Sequence, residues 1–331
     1  MQGRRSVWSD ERVIKLTAKF APAADEVWRL QRDDDPECTW FRTAVRGKPD
    51  AINGTMQGTY VLTATGKLLA RVNSANADHV LKVLHKALKA WDELPASERK
   101  ADQGAAPRAI HRWEDSYPEN GLVLERFARD IGDNPSDQPI APINRDPIWF
   151  SDKEALGWLP EAIVGASTDV ATICVERLAR VAFVDNVRGQ TLPFVHSELQ
   201  DCAIRSEVLA IRGTLIDIQM QGSTSAIADG PWRGEENYWK TNREWPRRLS
   251  TRLFGKATFD RDSGRFTAFE LVATGNRQGR TTFNGRHRET KDSSHAIGFL
   301  LRLAAPSYRI APTFINVYDA PWVKMPKQKI Q

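Results

Sequence analysis

Residues 248–276, RLSTRLFGKATFDRDSGRFTAFELVATGN, set the architecture of the C-terminal half. They read as two strands, Thr251–Asp260 and Arg265–Gly275, joined through Arg261-Asp262-Ser263-Gly264 as a hairpin turn. Upstream, 203–222 (AIRSEVLAIRGTLIDIQMQG) alternates polar and apolar residues, the period of a half-buried strand pair. Downstream, HAIGFLLRLAA from His295 adds another strand. At least five antiparallel strands follow one another, which implies a curved sheet or barrel-like sandwich.

Working back along the chain, Ser151 and Glu154 in SDKEALGWLP make a capping-box pattern. Asp169 to Phe183 reads as a helix with Val170, Ile173, Cys174, Leu178 and Val181 on its apolar side. Prolines 95, 107, 118, 135, 139, 142 and 147 punctuate a polar stretch, expected as a linker with a strand-like interruption at Leu122–Arg126. Residues 77–93 carry an amphipathic helix, capped at Asn76 or Asp78. A hairpin, Thr59–Thr63 and Leu68–Val72, precedes it. Residues 9–20 read as a helix with Ser9 as N-cap, 23–30 as a short strand or a helix, and Thr39–Val45 as a short helix.

The 331 residues suit two domains, and 41% apolar with 27% charged residues excludes disorder of the whole chain. No apolar run reaches the ~18–20 residues of a membrane helix. The basic start is followed by Asp10 and Glu11 and not by an apolar stretch. The expectation is a cytoplasmic chain, or a secreted one if the start is trimmed. Cys38, Cys174 and Cys202 form no CxxC and no local zinc pattern, so a reducing compartment is expected. The net charge is +5. Residues 1–120 are nearly balanced, with 19 Lys/Arg against 17 Asp/Glu, whereas 231–302 carry 15 against 8. An anionic partner would therefore meet the C-terminal half.

The order helix 9–20, hairpin 57–73, helix 77–93 resembles the later part of a thioredoxin-like domain. SDERVIKLTAKFAPAADEV is similar to the helix and strand after the active site, and QGTYVLTATGKLLARVNSANADHVLKVLHKAL to the hairpin and last helix. With its Pro-rich linker and β-rich C-terminal part, the whole chain resembles uncharacterised bacterial proteins of this layout. Redox-active members carry a CxxC before the first helix and a cis-proline before the hairpin. Here residues 4–9 are Arg-Arg-Ser-Val-Trp-Ser and residues 56–60 are Met-Gln-Gly-Thr-Tyr. The resemblance implies the fold and argues against dithiol exchange. The expected fold is α+β. Residues 1–94 form a degenerate, possibly truncated thioredoxin-like domain and 95–150 a linker. Residues 151–305 form a helical segment with an antiparallel β-rich domain, and 306–331 a tail.

The candidate chemistries are few. Cys38 lies in DDDPEC, where the carboxylates raise a thiol pKa, so it reads as unreactive. His196-Ser197-Glu198 matches the H-x-E fragment of zinc deaminases without their second half, and reads as a polar loop. His79 and His85, and His287 and His295, have spacings that suit surface or packing roles better than a shared metal. Asp260, Asp262 and Gly264 resemble a calcium loop, but Leu271 replaces the bidentate glutamate and a plain turn is expected. Residues 231–256 interleave Trp232, Tyr238, Trp239 and Trp245 with Arg243, Arg247 and Arg248. Aromatic faces and guanidinium groups suit stacking on a base, a sugar or a peptide. These seven residues are the expected binding site, for a protein or an anionic or aromatic ligand, with nucleic acid a less favoured sub-case. A loop pinned to the sheet by its tryptophans is the competing reading.

The functional expectation is a non-catalytic binding or interaction protein without a cofactor. The alternatives are an enzyme with a site in the β domain or between domains, or a single-cysteine thiol oxidoreductase.

Overall fold

A computed structural model describes residues 7–8, 10–50, 55–74, 76–100, 107–132, 143–189, 191–229, 246–281, 284–286, 289–290 and 292–324. The chain is α+β and divides into two units, Met1–Asp115 with Lys324–Gln331, and Ser116–Val323. Among the described residues no helix is long and apolar enough to cross a membrane.

The first unit holds helices α1 (Glu11–Thr17), α2 (Val27–Arg32) and α3 (Pro36–Arg46), strands β1 (Thr59–Leu62) and β2 (Leu68–Val72), helix α4 (Ala77–Asp92) and a single turn α5 (Ala96–Arg99). Asp10 caps α1, accepting from the Arg12 N–H; Ser9, the expected cap, lies outside the described residues. The ambiguous 23–30 stretch resolves as the helix α2. Asp35 caps α3 and Pro36 occupies its first turn, so the helix starts three residues earlier than expected. Asn76 caps α4 by accepting from the Asp78 and His79 N–H groups. Val13 and Leu16 of α1, Val61 and Ala70 of the antiparallel β1–β2 hairpin, and Val80, Leu84 and Ala87 of α4 share one core.

The second unit is built on β3 (Leu122–Asp130), β4 (Ile143–Phe150), helix α6 (Asp152–Leu156), β5 (Ser167–Asp169), helix α7 (Thr172–Arg177), β6 (Ala203–Arg212), β7 (Leu215–Ala228), β8 (Arg247–Asp260), β9 (Arg265–Gln278) and β10 (Ser294–Leu303). The eight strands form one open antiparallel sheet in the order β4-β3-β10-β9-β8-β7-β6-β5. Of the two expected arrangements, a curved sheet or a barrel-like sandwich, the strands form one sheet without a second packed on it, and a layer of helix and loop covers one face. Trp158 packs edge-on against Phe150 and Phe269, and Phe183 packs against Phe299. The expected helix over 169–183 is shorter. After α7 the chain makes one π-helical turn, closed by the Phe183 N–H on the Leu178 carbonyl at 2.8 Å.

Within the expected linker 95–150, the strand-like Leu122–Arg126 is the first part of β3, but the structure differs in extending it to Asp130 and adding β4, two strands of this sheet. β4 carries Pro147, whose missing N–H is tolerated because β4 is an edge strand. The 306–331 tail also differs: Ile315 and Tyr318 are buried, and the Tyr318 hydroxyl accepts from the Trp149 N–H at 3.2 Å. Other readings hold. Ser151 and Glu154 form a reciprocal capping box. Asp260 accepts from the Asp262 and Ser263 N–H groups, and Gly264 takes φ +66°, so the calcium-like motif is a hairpin turn.

Candidate functional site

Strand side chains alternate between faces, and β8 alternates buried and exposed residues from Arg247 to Lys256. Its buried set, Leu249, Leu253 and Ala257, joins Leu271, Ala273, Ile297 and Phe299 under the covering layer. Among the described residues, the opposite face of β7–β10 is not covered by another layer. Register fixes its rows. Ser225, Ser250, Asn276 and Ala296 lie side by side on four neighbouring strands. The next row is Ser223, Arg252, Thr274 and Gly298. The row after that is Gln221, Phe254, Val272, Leu300 and Phe127, with Phe254 51% and Val272 45% exposed.

Residues of the first two rows line a shallow trough of about 800 Å³, with Asp201 and Ile131 at its margins. Ser223, Ser250, Arg252, Thr274 and Asn276 have no hydrogen-bond partner for their side chains among the described residues. A smaller hollow beside it, lined by Arg248, Gln278 and Ser294, extends the face toward the start of β8. Among the described residues Arg248 pairs with the exposed Asp229, at 3.8 Å. Arg248 and Arg252 are four residues apart on one face, about 14 Å along the strand. The trough lining is hydroxyl-rich, with one guanidinium (Arg252), one carboxylate (Asp201) and one amide (Asn276), a set suited to hydrogen-bonding. Gly275 sits where an added Cβ would lie 1.7 Å from the Ser250 carbonyl, so β8 and β9 close up under the trough.

Of the seven residues expected to bind, Trp232, Tyr238, Trp239, Arg243 and Trp245 lie outside the described residues. Arg248 faces the open side. Arg247 does not: it is buried, donates to the Leu192 carbonyl at 2.7 Å, and lies over the Phe194 ring. Burial pulls its pKa down to about 10. Neighbours on a strand point to opposite faces, so the pair was never one surface. The trough residues were missed because alternation was read as fold alone. The signal was there: solvent-facing strand positions 223, 225, 250, 274 and 276 hold Ser, Thr and Asn in place of Lys and Glu.

Beneath the other face lies a balanced ionic network. Arg286, fully buried, donates to both Asp130 oxygens at 2.7 and 2.9 Å and to both Asp185 oxygens at 2.7 and 2.9 Å. Arg277 clamps Glu289 at 2.7 and 2.8 Å, and Arg188 donates to Asp130 at 2.9 Å. Burial opposes ionisation of Asp130, but Arg286, with Arg277 and Arg188, holds its carboxyl below the usual range. Three arginines face three carboxylates with no nucleophile among them, and the network fixes loops to the sheet.

His196 sits between two carboxylates, Glu176 on Nδ1 at 3.0 Å and Asp319 on Nε2 at 3.1 Å. The carboxylates lie on opposite ring nitrogens, so the donors do not converge on one point. Arg180 reaches Asp319 at 3.0 Å and the Val317 and Phe194 carbonyls, tying this turn to the C-terminal segment. His196-Ser197-Glu198 forms one 3₁₀ turn. His79 accepts from or donates to Ser74 on the surface, His295 approaches Glu289 at 3.8 Å, and His287 lies outside the described residues.

Cys38 and Cys174 are fully buried, and burial pushes both thiols up to about 12, with nearby carboxylates adding to it. At pH 8 about one molecule in ten thousand would carry either thiolate. Native-state alkylation should label half-buried Cys202 first and reach the other two only on unfolding, as peptide mass mapping would read. Labelling of Cys38 at the rate of Cys202 would contradict this. No protein-family model matches the chain, and neither does any curated protein or solved structure with which it was compared.

Proposed function

We propose that the protein is a non-catalytic binding protein whose second unit holds a polar ligand in the trough of the open sheet face. The observation that carries this reading is the cluster of hydroxyl, amide and guanidinium groups without partners among the described residues, in a hollow of about 800 Å³, a volume typical of ligand sites. The first unit is read as a thioredoxin-like domain without redox activity. The β1–β2 hairpin followed by α4 supports the resemblance, and the buried, raised thiols support the inactivity. The basic excess of residues 231–302 supports an anionic ligand over a cationic one.

Ser250→Trp tests the site, because position 250 is central to the trough and its side chain points to solvent. Thermal shift and calorimetry across saccharides, nucleotides, oligonucleotides and peptides should find a class that stabilises the wild-type chain. A ligand at a hundred times its Kd contributes about 2.7 kcal/mol, a rise of at least about 5 °C for a unit of this size. Ser250→Trp should abolish that rise while leaving the unliganded Tm within about 2 °C. A ligand that stabilises both chains equally, or no ligand from any class, would remove the trough from consideration.

A further inference from the structure

We propose that the open sheet face binds a single-stranded nucleic acid, its bases over the row that holds Phe254 and its phosphates on the arginines around it; this rests on the face around the trough being the binding site. Register carries the argument across seven strands. One row begins with Arg205 on β6, carries Phe254, Val272, Leu300 and Phe127 on β8, β9, β10 and β3, and ends with Arg145 on β4. The neighbouring row, which runs through the trough, holds Arg252 and Arg129. At about 4.8 Å per strand each row spans about 29 Å from β6 to β4. Among the described residues these two rows hold four guanidiniums and no carboxylate. Lys256 and Arg302 add two cations in the row beyond, beside Glu207, Glu270 and Glu125. Glu125 is already held by Arg302 at 2.8 Å and by Arg145, and Glu207 accepts from Gln219 at 3.0 Å. Asp201 lies at the trough margin, outside both rows. An anionic chain is therefore drawn to the two rows between these carboxylates.

The surface between the cations selects the kind of anion. Phe254 and Val272 are exposed, and bare rings and branched side chains on a sheet are what unstacked bases cover. At the β3 end of the row Arg302 lies over the Phe127 ring at 4.9 Å. Arg145 lies over Phe127 at 5.7 Å and over Tyr308 at 4.7 Å. Glu125 fixes both guanidiniums, and a planar guanidinium held in place is itself a stacking surface for a base. Phe254 and Phe127 stand about 14 Å apart with Val272 and Leu300 between them, so several successive bases find apolar or planar surface. Gln221, Ser223 and Thr274 beside them carry groups that can meet base edges or sugar hydroxyls. A duplex hides its base faces and would leave this row without a partner. An acidic peptide helix calls for an apolar groove, and this row is one side chain wide with cations on both sides.

Fluorescence anisotropy on the full chain tests this with labelled oligouridylate and oligothymidylate of about 12 nucleotides, against a duplex of the same length and an oligoglutamate. The single strands should bind, the tighter of the two telling RNA from DNA. Log Kd should rise with log salt at a slope of about 2–3, the value for about four phosphate contacts. Arg252→Ala and Arg129→Ala should each weaken binding and lower that slope by about 0.7. Phe254→Ala should weaken binding at least about fivefold and leave the slope unchanged, because a ring meets bases and not phosphates. All three side chains are exposed, so these variants should keep the wild-type Tm. A slope near zero, a duplex or oligoglutamate that binds as tightly as the single strands, or wild-type affinity in Phe254→Ala would each overturn the assignment. The two readings fail differently. If the single strands bind Ser250→Trp like wild type but lose affinity in Phe254→Ala, the nucleic acid stands and the trough is wrong as a ligand seat. If Ser250→Trp abolishes binding of another class and no single strand binds, the trough stands and the nucleic acid falls.

Discussion

Arg286→Met should cost the second unit about 3–5 kcal/mol, read as a fall in the urea midpoint with an unchanged slope. Arg286 is fully buried and bridges Asp130 and Asp185 with four hydrogen bonds between 2.7 and 2.9 Å. Removing it leaves two carboxylates, 7% and 9% exposed, without their main counter-charge. The loss measures that stranded charge more than the worth of the network. Replacing Arg286, Asp130 and Asp185 together with apolar residues should therefore recover most of the stability. A triple variant as weak as the single one would show that the network itself holds the unit together.

The same network sets an acid limit. Burial works against ionisation of Asp130 and Glu289, but their arginine partners outweigh it and hold both below the usual carboxylate range, as Arg177 does for Glu154 outside the network. A carboxyl whose folded pKa is depressed adds stability that is complete above its unfolded pKa, near 4. That stability is lost as pH falls from there through the folded values. Urea midpoints should be flat for these groups above about pH 5 and drop below about pH 4. In Arg286→Met the acid-side drop should be shallower, because Asp130 has lost its strongest reason to stay ionised.

Trp158→Ala should cost a comparable 3–5 kcal/mol through a cavity. Trp158 is fully buried in the covering layer, edge-on to Phe150 of β4 at 5.8 Å and to Phe269 of β9 at 5.3 Å. Its carbonyl accepts from the Ser206 hydroxyl of β6 at 2.6 Å, so one residue ties three strands of the sheet to the layer above. Circular dichroism in urea reads the loss without interference from the other tryptophans. Trp158→Phe, which keeps an aromatic ring, should lose well under half as much. An equal loss in both variants would point to strain and not to the cavity.

Local rules carried the elements whose determinants are close in sequence. The Asn76 cap, the Ser151–Glu154 capping box and the Asp260–Gly264 turn are each set within a few residues. The period of two made β6 to β9 visible because each has one buried and one open face. The first half of β3 is legible as the strand-like Leu122–Arg126, but the rest of β3 and all of β4 read as linker because their alternation is lost: most of their residues are buried on both faces, and prolines interrupt the polar stretch around them. The seven residues expected to bind include strand neighbours that face opposite sides, and the same period of two separates Arg247 from Arg248.

The sequence by itself determined that an antiparallel sheet forms, which positions share a face, and that the thiols form no CxxC. It did not determine which face would be covered or what lies beside what. Ser225, Ser250 and Asn276 meet only through the register of three strands. Arg286 meets Asp130 across 156 residues of chain. Alternation divides a strand into two faces at no cost in distance. Choosing the face that loses its water depends on the packing of remote segments, Trp158, the π-helical turn and the C-terminal Tyr318, and that choice exists only in the folded chain.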